Sequence, residues 1–282
     1  MNTKYELLKH FIEQREMARH NKKNGWPYGA TDPIVQNYRF CNIDRENDRV
    51  TKWIDEHIRK AHTLDAHQWF LLIAARLFNE PSTLTTILRL WDGEWRSKII
   101  RKVLHNTNMH TRTFNPAYIV STNGISMDKI DYVCELVLQP IWEQRFNLGF
   151  DVYSCANWFD WLVQFNGIGD FLANQIVTDL RRTKYLPVHK TEDWSTFVMA
   201  GPGTKRGLNR LHNRPVKQSL SPKVAVPELL TLQMWLHIHV PHLTQTWQDP
   251  NNVANLMCEF DKYCRAHYGE GRPKQKYRPA SE

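Results

Sequence analysis

The residues best suited to hold a polyanion lie between Trp161 and Leu211. An apolar helix end, Trp161, Leu162 and Phe165, runs into Gly167-Ile168-Gly169. Two glycines one residue apart let the backbone turn sharply and leave its amides unshielded by side chains. A second amphipathic helix begins at Asp170, with Phe171, Leu172, Ile176, Val177 and Leu180 on its predicted buried face. The pattern, about 157–183, reads as a helix-hairpin-helix, whose open amides and helix N-terminus can accept a nucleic-acid phosphate. An ordinary helical hairpin would carry the same glycines, so charge has to decide. Arg181, Arg182, Lys184, Lys190, Lys205, Arg206, Arg210, Arg214, Lys217 and Lys223 stand against only Glu192 and Asp193, an excess as large as the +8 of the whole chain. Basicity gathered beside such a turn is the footprint of a phosphate backbone. Gly167, Gly169, Arg181, Arg182, Lys184, Lys190 and Arg210 are the predicted DNA contacts.

A second charged set lies far away in sequence. In Tyr38-Arg39-Phe40-Cys41-Asn42-Ile43-Asp44-Arg45-Glu46-Asn47-Asp48-Arg49, four charges crowd between Arg45 and Arg49, which are predicted to share a helix face. A solvated helix start with local ion pairs would explain these charges, but the aromatic lead-in and Asn42 favour a buried polar cluster. A second glycine-rich turn is read at Ala200–Gly207. It is no Walker loop, which needs four residues between its glycines followed by Lys-Ser/Thr. There is also no nucleophile elbow and no dinucleotide fingerprint. His237, His239 and His242 lack the i, i+4 pairing of a metal helix and are interrupted by Pro241, so no metal ligand is assigned.

These residues must be positioned by helices. Helical periodicity runs over Tyr5–Arg19, Leu64–Asn79, Ser82–Trp91, Trp95–His105 and Val226–His239, with Asp32-Pro33 and Asp249-Pro250 opening two more. Ser126 is predicted to cap a long helix through Phe146, kinked near Pro140. Trp158, Phe159 and Trp161 read as core. Ala117–Ser121 is the one strand-like piece, and the basic tail 269–282 is expected to be exposed and mobile. The five cysteines are scattered and never paired as CxxC, which fits a reducing compartment. No apolar signal core and no membrane-length stretch is present, so a cytoplasmic protein without membrane contact is expected.

An all-helical chain with a hairpin and a downstream carboxylate resembles the helix-hairpin-helix DNA glycosylases, which work on a base flipped into a pocket between lobes. A closer resemblance is to the alpha-glutamyl/putrescinyl thymine pyrophosphorylase family, phage proteins that include the helical domain of 5-hydroxymethyluracil DNA kinases. It rests on Tyr38–Asn42 with Asp44-Arg45-Glu46 and Asp48-Arg49; Ser121–Gly124; Gly167-Ile168-Gly169 with Gln175 and Asp179-Leu180; Asp193-Trp194; Ala200–Gly203 with Arg206–Asn209; and Cys258–Tyr263. The set spans most of the chain. It implies an all-α, two-lobed, helix-hairpin-helix glycosylase-like fold over 1–282, in the cytoplasm of a phage-infected bacterium.

The chemistry implied is hypermodification of thymine positions in double-stranded DNA, with a pathway kinase making 5-(pyrophosphoryloxymethyl)uracil. A transferase then replaces pyrophosphate by an amine, an amino acid or a polyamine. The kinase's P-loop is missing here, so the transferase is favoured. The carbon on C5 is allylic and pyrophosphate is a good leaving group, so the enzyme must neutralise departing charge and deprotonate an amine. Arg45, Arg49, Lys205 and Arg206 suit the pyrophosphate, and Asp193 or Glu46 suits the amine. Asn42, Asn123 and Asn209 could read the base edge or merely satisfy backbone groups, and Glu259 and Lys262 belong to the same substrate set. No cofactor beyond the amine co-substrate is called for, and a divalent metal requirement is left open. Lyase-type glycosylases carry a lysine where this chain has Phe171, so Schiff-base chemistry is not expected there. Asp193 also lies further from Gly169 than the glycosylase aspartate. A glycosylase of modified bases and a non-catalytic DNA-binding partner of the kinase remain the alternatives.

Overall fold

The structure, a computed structural model, describes residues 3–24, 29–61, 67–108, 112–118, 120–146 and 148–277. Its helices in chain order are α1 (Thr3–Lys23), α2 (Pro33–Asn37), α3 (Arg49–Ile54), α4 (Gln68–Phe78), α5 (Pro81–Leu90), α6 (Ser97–Asn108) and α7 (Lys129–Asp131). They continue with α8 (Gln139–Glu143), α9 (Cys155–Leu162), α10 (Asp170–Leu180), α11 (Pro202–Leu211), α12 (Pro222–His239), α13 (Thr244–Trp247) and α14 (Pro250–His267). Among the described residues no strand forms, and the fold is all-α. Ala117–Ser121 is a correction: the Ala117 amide donates to Asn115 Oδ1 at 2.9 Å in a local turn, and Ile119 lies outside the described residues. A strand-forming composition makes no strand without a partner edge.

Local chemistry sets many of the helix starts. Pro33, Pro81, Pro202, Pro222 and Pro250 open their helices, where a missing N–H costs nothing. Asp32 and Asp249 cap α2 and α14 through their carboxylates, and Ser154 caps α9. The helix predicted from Ser126 is capped by Asp128 instead. Ahead of Pro140 its turns widen into a π-helical stretch, Tyr132–Leu138. Such a wide turn accommodates the proline ring and its absent donor.

The chain divides into two compact units, one of Met1–Asp48 with Val198–Glu282, the other of Arg49–Phe197. The first unit is built on α1, α11, α12 and α14, with Phe11, Leu208, Leu232, Trp247, Phe260 and Tyr263 in its core. Here α11 runs against α14 because Gly203 and Gly207 present bare backbone to Cys258 and Met257. The predicted glycine-rich turn is therefore mostly helix: Gly201 caps it and Pro202 starts it. The tail also differs from expectation, since Tyr38 and Lys276 form an antiparallel bridge and Tyr277 donates to the Asn37 carbonyl at 3.0 Å. Residues 278–282 lie outside the described part.

The second unit is centred on α4, every residue of which is buried. Trp158 and Trp161 pack against Trp69 with ring centroids 5.9 Å apart, as core rather than as stacking platforms. A buried ion pair ties α4 to α10: Arg76 donates to the two Asp179 oxygens at 2.5 and 2.9 Å, and also reaches Thr51 Oγ1 at 3.0 Å.

Candidate functional site

In the first unit the two motifs around residues 40 and 260 meet. Residues 40–47 lie along one face of α14, fixed by three ties. The Cys41 amide donates to Glu259 Oε2 at 2.9 Å, Asn255 Nδ2 donates to the Asn42 carbonyl at 3.0 Å, and the Arg45 amide donates to Asn252 Oδ1 at 3.1 Å. Positions 252, 255, 259 and 262 follow helical spacing, so one polar stripe serves the whole segment. Asn42 also donates to the Asn47 carbonyl at 3.0 Å, and Asp44 caps the single 3₁₀ turn that carries Arg45 and Glu46.

Charge is concentrated on this stripe. Glu259 is buried, and its second oxygen pairs with Lys262 Nζ at 2.5 Å. Burial works against the charge on Lys262, but the Glu259 carboxylate outweighs it and raises the ammonium pKa above its ordinary value. Lys262 therefore stays a cation while part of its side chain reaches solvent. One helix over, Arg206 donates through Nε to Asp261 at 2.9 Å and keeps 40% of its side chain exposed. Lys205 is half-buried beside it on α11. The arrangement offers fixed cations at a half-open surface, with the turn that carries Glu46 seated further along α14 at Asn252.

Several predicted site residues have other tasks. Arg45 and Arg49 do not share a helix: Asp48 is extended and separates the 3₁₀ turn from α3, which Arg49 opens in the second unit. Asn209 is fully buried and donates to the carbonyls of Val216 and Gln218, so it holds a loop and meets no base. Arg210 is buried between Asp261 and Glu270, at 2.8 and 2.6 Å, which removes it from the DNA-contact set.

In the second unit, α9 and α10 flank the turn at Gly167, whose φ of +78° is the left-handed conformation that glycine adopts without penalty. Gly169 caps α10 with no side-chain acceptor for the first-turn amides, and open space surrounds its Cβ position. Two further segments meet this turn. Tyr132 underlies Gly167, 3.1 Å from where a Cβ would be, and Asn123 Nδ2 approaches its hydroxyl at 3.4 Å. Tyr118 donates to Gln175 Oε1 at 2.9 Å. The structure thus brings Asn123 and Gln175, from distant parts of the sequence, to the same turn region.

Two charge assignments change here. Arg181 is buried, donates to the Trp194 carbonyl and lies 4.1 Å over the Trp194 ring, so it braces a loop and cannot reach a phosphate. Asp193 accepts from the Cys155 amide at 2.9 Å, the Ala156 amide at 2.8 Å and the Ser154 hydroxyl at 3.3 Å. It caps the N-terminus of α9, a structural task that engages both of its carboxylate oxygens. Asp193→Ala should lower stability by about 1–2 kcal/mol, read as an earlier urea midpoint. An unchanged midpoint would show that the cap contributes nothing. Arg182, Lys184 and Lys190 remain exposed, the last 5.2 Å from the Tyr153 ring. The basic count was correct; the solvation of two of its members was not. Phe171, predicted as core, is 57% exposed.

Among the described residues one His/carboxylate group has metal-ligand spacing: His105, Asp128 and Asp131. His105 bonds Asp131 at 2.7 Å, while Arg101 lies 3.5 Å from the same carboxylate and satisfies its charge. No metal role is assigned to it. No helix among the described residues is long and apolar enough to cross a membrane.

A model of the helical domain of 5-hmdU DNA kinase matches residues 2–272. The chain belongs to that family. It is also 24% identical over 199 residues to a 5-hmdU DNA kinase of Bacillus phage SP10, an alignment covering 63% of this chain and 31% of the relative. The chain thus spans about a third of the length of that curated relative. No solved structure matches. The family matches the kinase-domain side of the expected resemblance, and the all-helical structure accords with it.

Proposed function

We propose that this protein acts in phage thymine hypermodification, transferring an amine to 5-(pyrophosphoryloxymethyl)uracil in double-stranded DNA with release of pyrophosphate. The observation that carries this reading is the polar stripe on α14, which holds Lys262 as a cation through Glu259 towards one end and seats the Arg45–Glu46 turn on Asn252 towards the other, with Arg206 of α11 paired to Asp261. In the reaction, the amine nitrogen attacks the methylene carbon on C5. The carbon–oxygen bond breaks, and its electron pair leaves with pyrophosphate. Lys205, Arg206, Lys262 and Arg45 would neutralise the departing anion, and Glu46 would take the proton that the amine nitrogen sheds as the new carbon–nitrogen bond forms. Asn42 shapes the turn that carries Arg45.

The test is to incubate the full chain with DNA bearing that pyrophosphorylated base and a pool of amines, then digest to nucleosides for mass spectrometry. An amine-substituted nucleoside with released pyrophosphate is the expected result. Glu46→Gln should then cut the transfer rate by about 100-fold or more, whereas full turnover in that variant would remove Glu46 as the base. Free base instead of adduct would make the protein a glycosylase.

The family description favours a second reading, in which this domain presents DNA containing 5-hydroxymethyluracil to a kinase. DNA bound but unchanged in the same experiment, with phosphorylation stimulated on adding the kinase, would select it.

A further inference from the structure

We infer that Phe171 and Tyr118 form a stacking platform for a nucleobase that has left the DNA duplex. The inference rests on the reading that the protein binds modified DNA, and it applies equally to the transferase and the kinase-partner versions. α10 buries Leu172, Ala173, Ile176, Val177 and Leu180. Phe171 and Gln175 are one turn apart on the flank of that face, and Tyr118 stands against both. Its hydroxyl is fixed on Gln175 Oε1 at 2.9 Å, and its ring meets Phe171 edge-to-face, 5.2 Å between centroids at 84°. A ring that is 57% exposed yet locked by an aromatic neighbour is preorganised rather than left over from the core.

Edge-to-face contact uses at most one face of either ring, so an aromatic face stays open for a flat, π-faced ligand. The surroundings narrow the ligand class. The platform adjoins Gly169, with open space around it, and the amides of the first α10 turn have no side-chain cap. A protein partner would bury those amides unpaired at a cost, whereas a nucleotide carries its own acceptor, the phosphate, beside its ring. Ile125 and Met127, both more than a third exposed, extend the apolar surface on the loop that Asn123 leads into. An exposed aromatic next to an anion-accepting turn fits an extruded pyrimidine.

The experiment uses the full chain and duplexes with one 5-hydroxymethyluracil placed next to 2-aminopurine, whose fluorescence rises when its neighbour leaves the stack. Wild type, Phe171→Ala, Phe171→Leu and Phe171→Trp are compared for affinity and for the fluorescence rise. Because the ring is exposed, all four should unfold at the same temperature. Loss of base stacking should weaken binding by about tenfold or more in the Ala and Leu variants and abolish the fluorescence rise, while Trp retains both. Equal binding and equal fluorescence in all four would overturn the platform while leaving DNA binding intact. Equal loss in the Trp variant would overturn it too, since the ring face would then be irrelevant. If the wild type binds no DNA, both the platform and the functional reading fall.

Discussion

Asp179→Ala is expected to cost about 3–5 kcal/mol, because it leaves the Arg76 guanidinium charged and buried with its principal counter-ion gone. Both side chains are almost wholly inaccessible, and the pair joins α4, the centre of its unit, to α10. Thr51 Oγ1 and Asn79 Oδ1 stay within 3.0 and 3.3 Å of Arg76, but neutral acceptors do not replace a carboxylate. Tryptophan fluorescence is weighted towards this unit, since Trp69, Trp95, Trp142, Trp158 and Trp161 are buried in its core while Trp235 and Trp247 belong to the other. Urea unfolding followed by that signal should show the midpoint fall sharply. A paired Arg76→Met, Asp179→Leu variant should recover most of the loss, because two apolar groups leave no orphan charge. If the single variant unfolds like wild type, the ion pair is not the tie between the two helices. If both variants lose equally, packing rather than charge carries the effect.

The consequence for function runs through α10. Phe171 and Gln175 are on the helix that Asp179 anchors, so loosening it should also blur the aromatic surface at the turn. Asp179 touches no ligand in this account. Its effect on DNA binding should track stability across temperature, in contrast to Phe171→Ala, which leaves stability alone.

Helix starts were legible because they are local. Asp32-Pro33 and Asp249-Pro250 place a carboxylate and a preset φ next to the first turn, and nothing distant is needed to read them. Other features depended on partners far away in sequence. Asp193 has a carboxylate suited to catalysis, and only the meeting with Cys155 and Ala156 shows that it caps a helix. Counting Arg181 and Arg210 as DNA contacts assumed that a guanidinium is solvated; Trp194 in one case and Asp261 with Glu270 in the other keep them inside. Phe171 failed for a different reason. Helical periodicity locates a stripe to within about one residue, and a ring on its flank is indistinguishable from one at its centre. The tie of Cys41 to Glu259, across 218 positions, had no local signal, although the resemblance named both motifs. Gly203 and Gly207 did carry one: glycines four apart behind a proline mark a helix face for close packing, and reading them as a turn overlooked that spacing.

That glycine face carries the second large effect. Gly207→Ala should destabilise the first unit by about 3 kcal/mol or more, at or beyond the upper end of ordinary overpacking. A methyl there would fall on the Met257 carbonyl oxygen, with the carbonyl carbon only 2.7 Å away. The obstacle is backbone in the middle of α14, so the two helices must separate, and no rotamer relieves the clash. Gly203→Ala meets the Cys258 sulfur instead, with Cβ at 3.2 Å, and a side chain can turn or be trimmed. Adding Cys258→Ala should therefore restore much of the stability lost in Gly203→Ala and none of that lost in Gly207→Ala. Because residues 252, 255, 259 and 262 of α14 position the charged stripe, Gly207→Ala should also depress any activity that depends on Lys262 and the Arg45–Glu46 turn. Thermal unfolding of the four variants, single and double, separates the cases. Equal behaviour of Gly203→Ala and Gly207→Ala, or rescue of the latter by Cys258→Ala, would mean that α11 and α14 adjust freely and that their close approach does not set the geometry of the stripe.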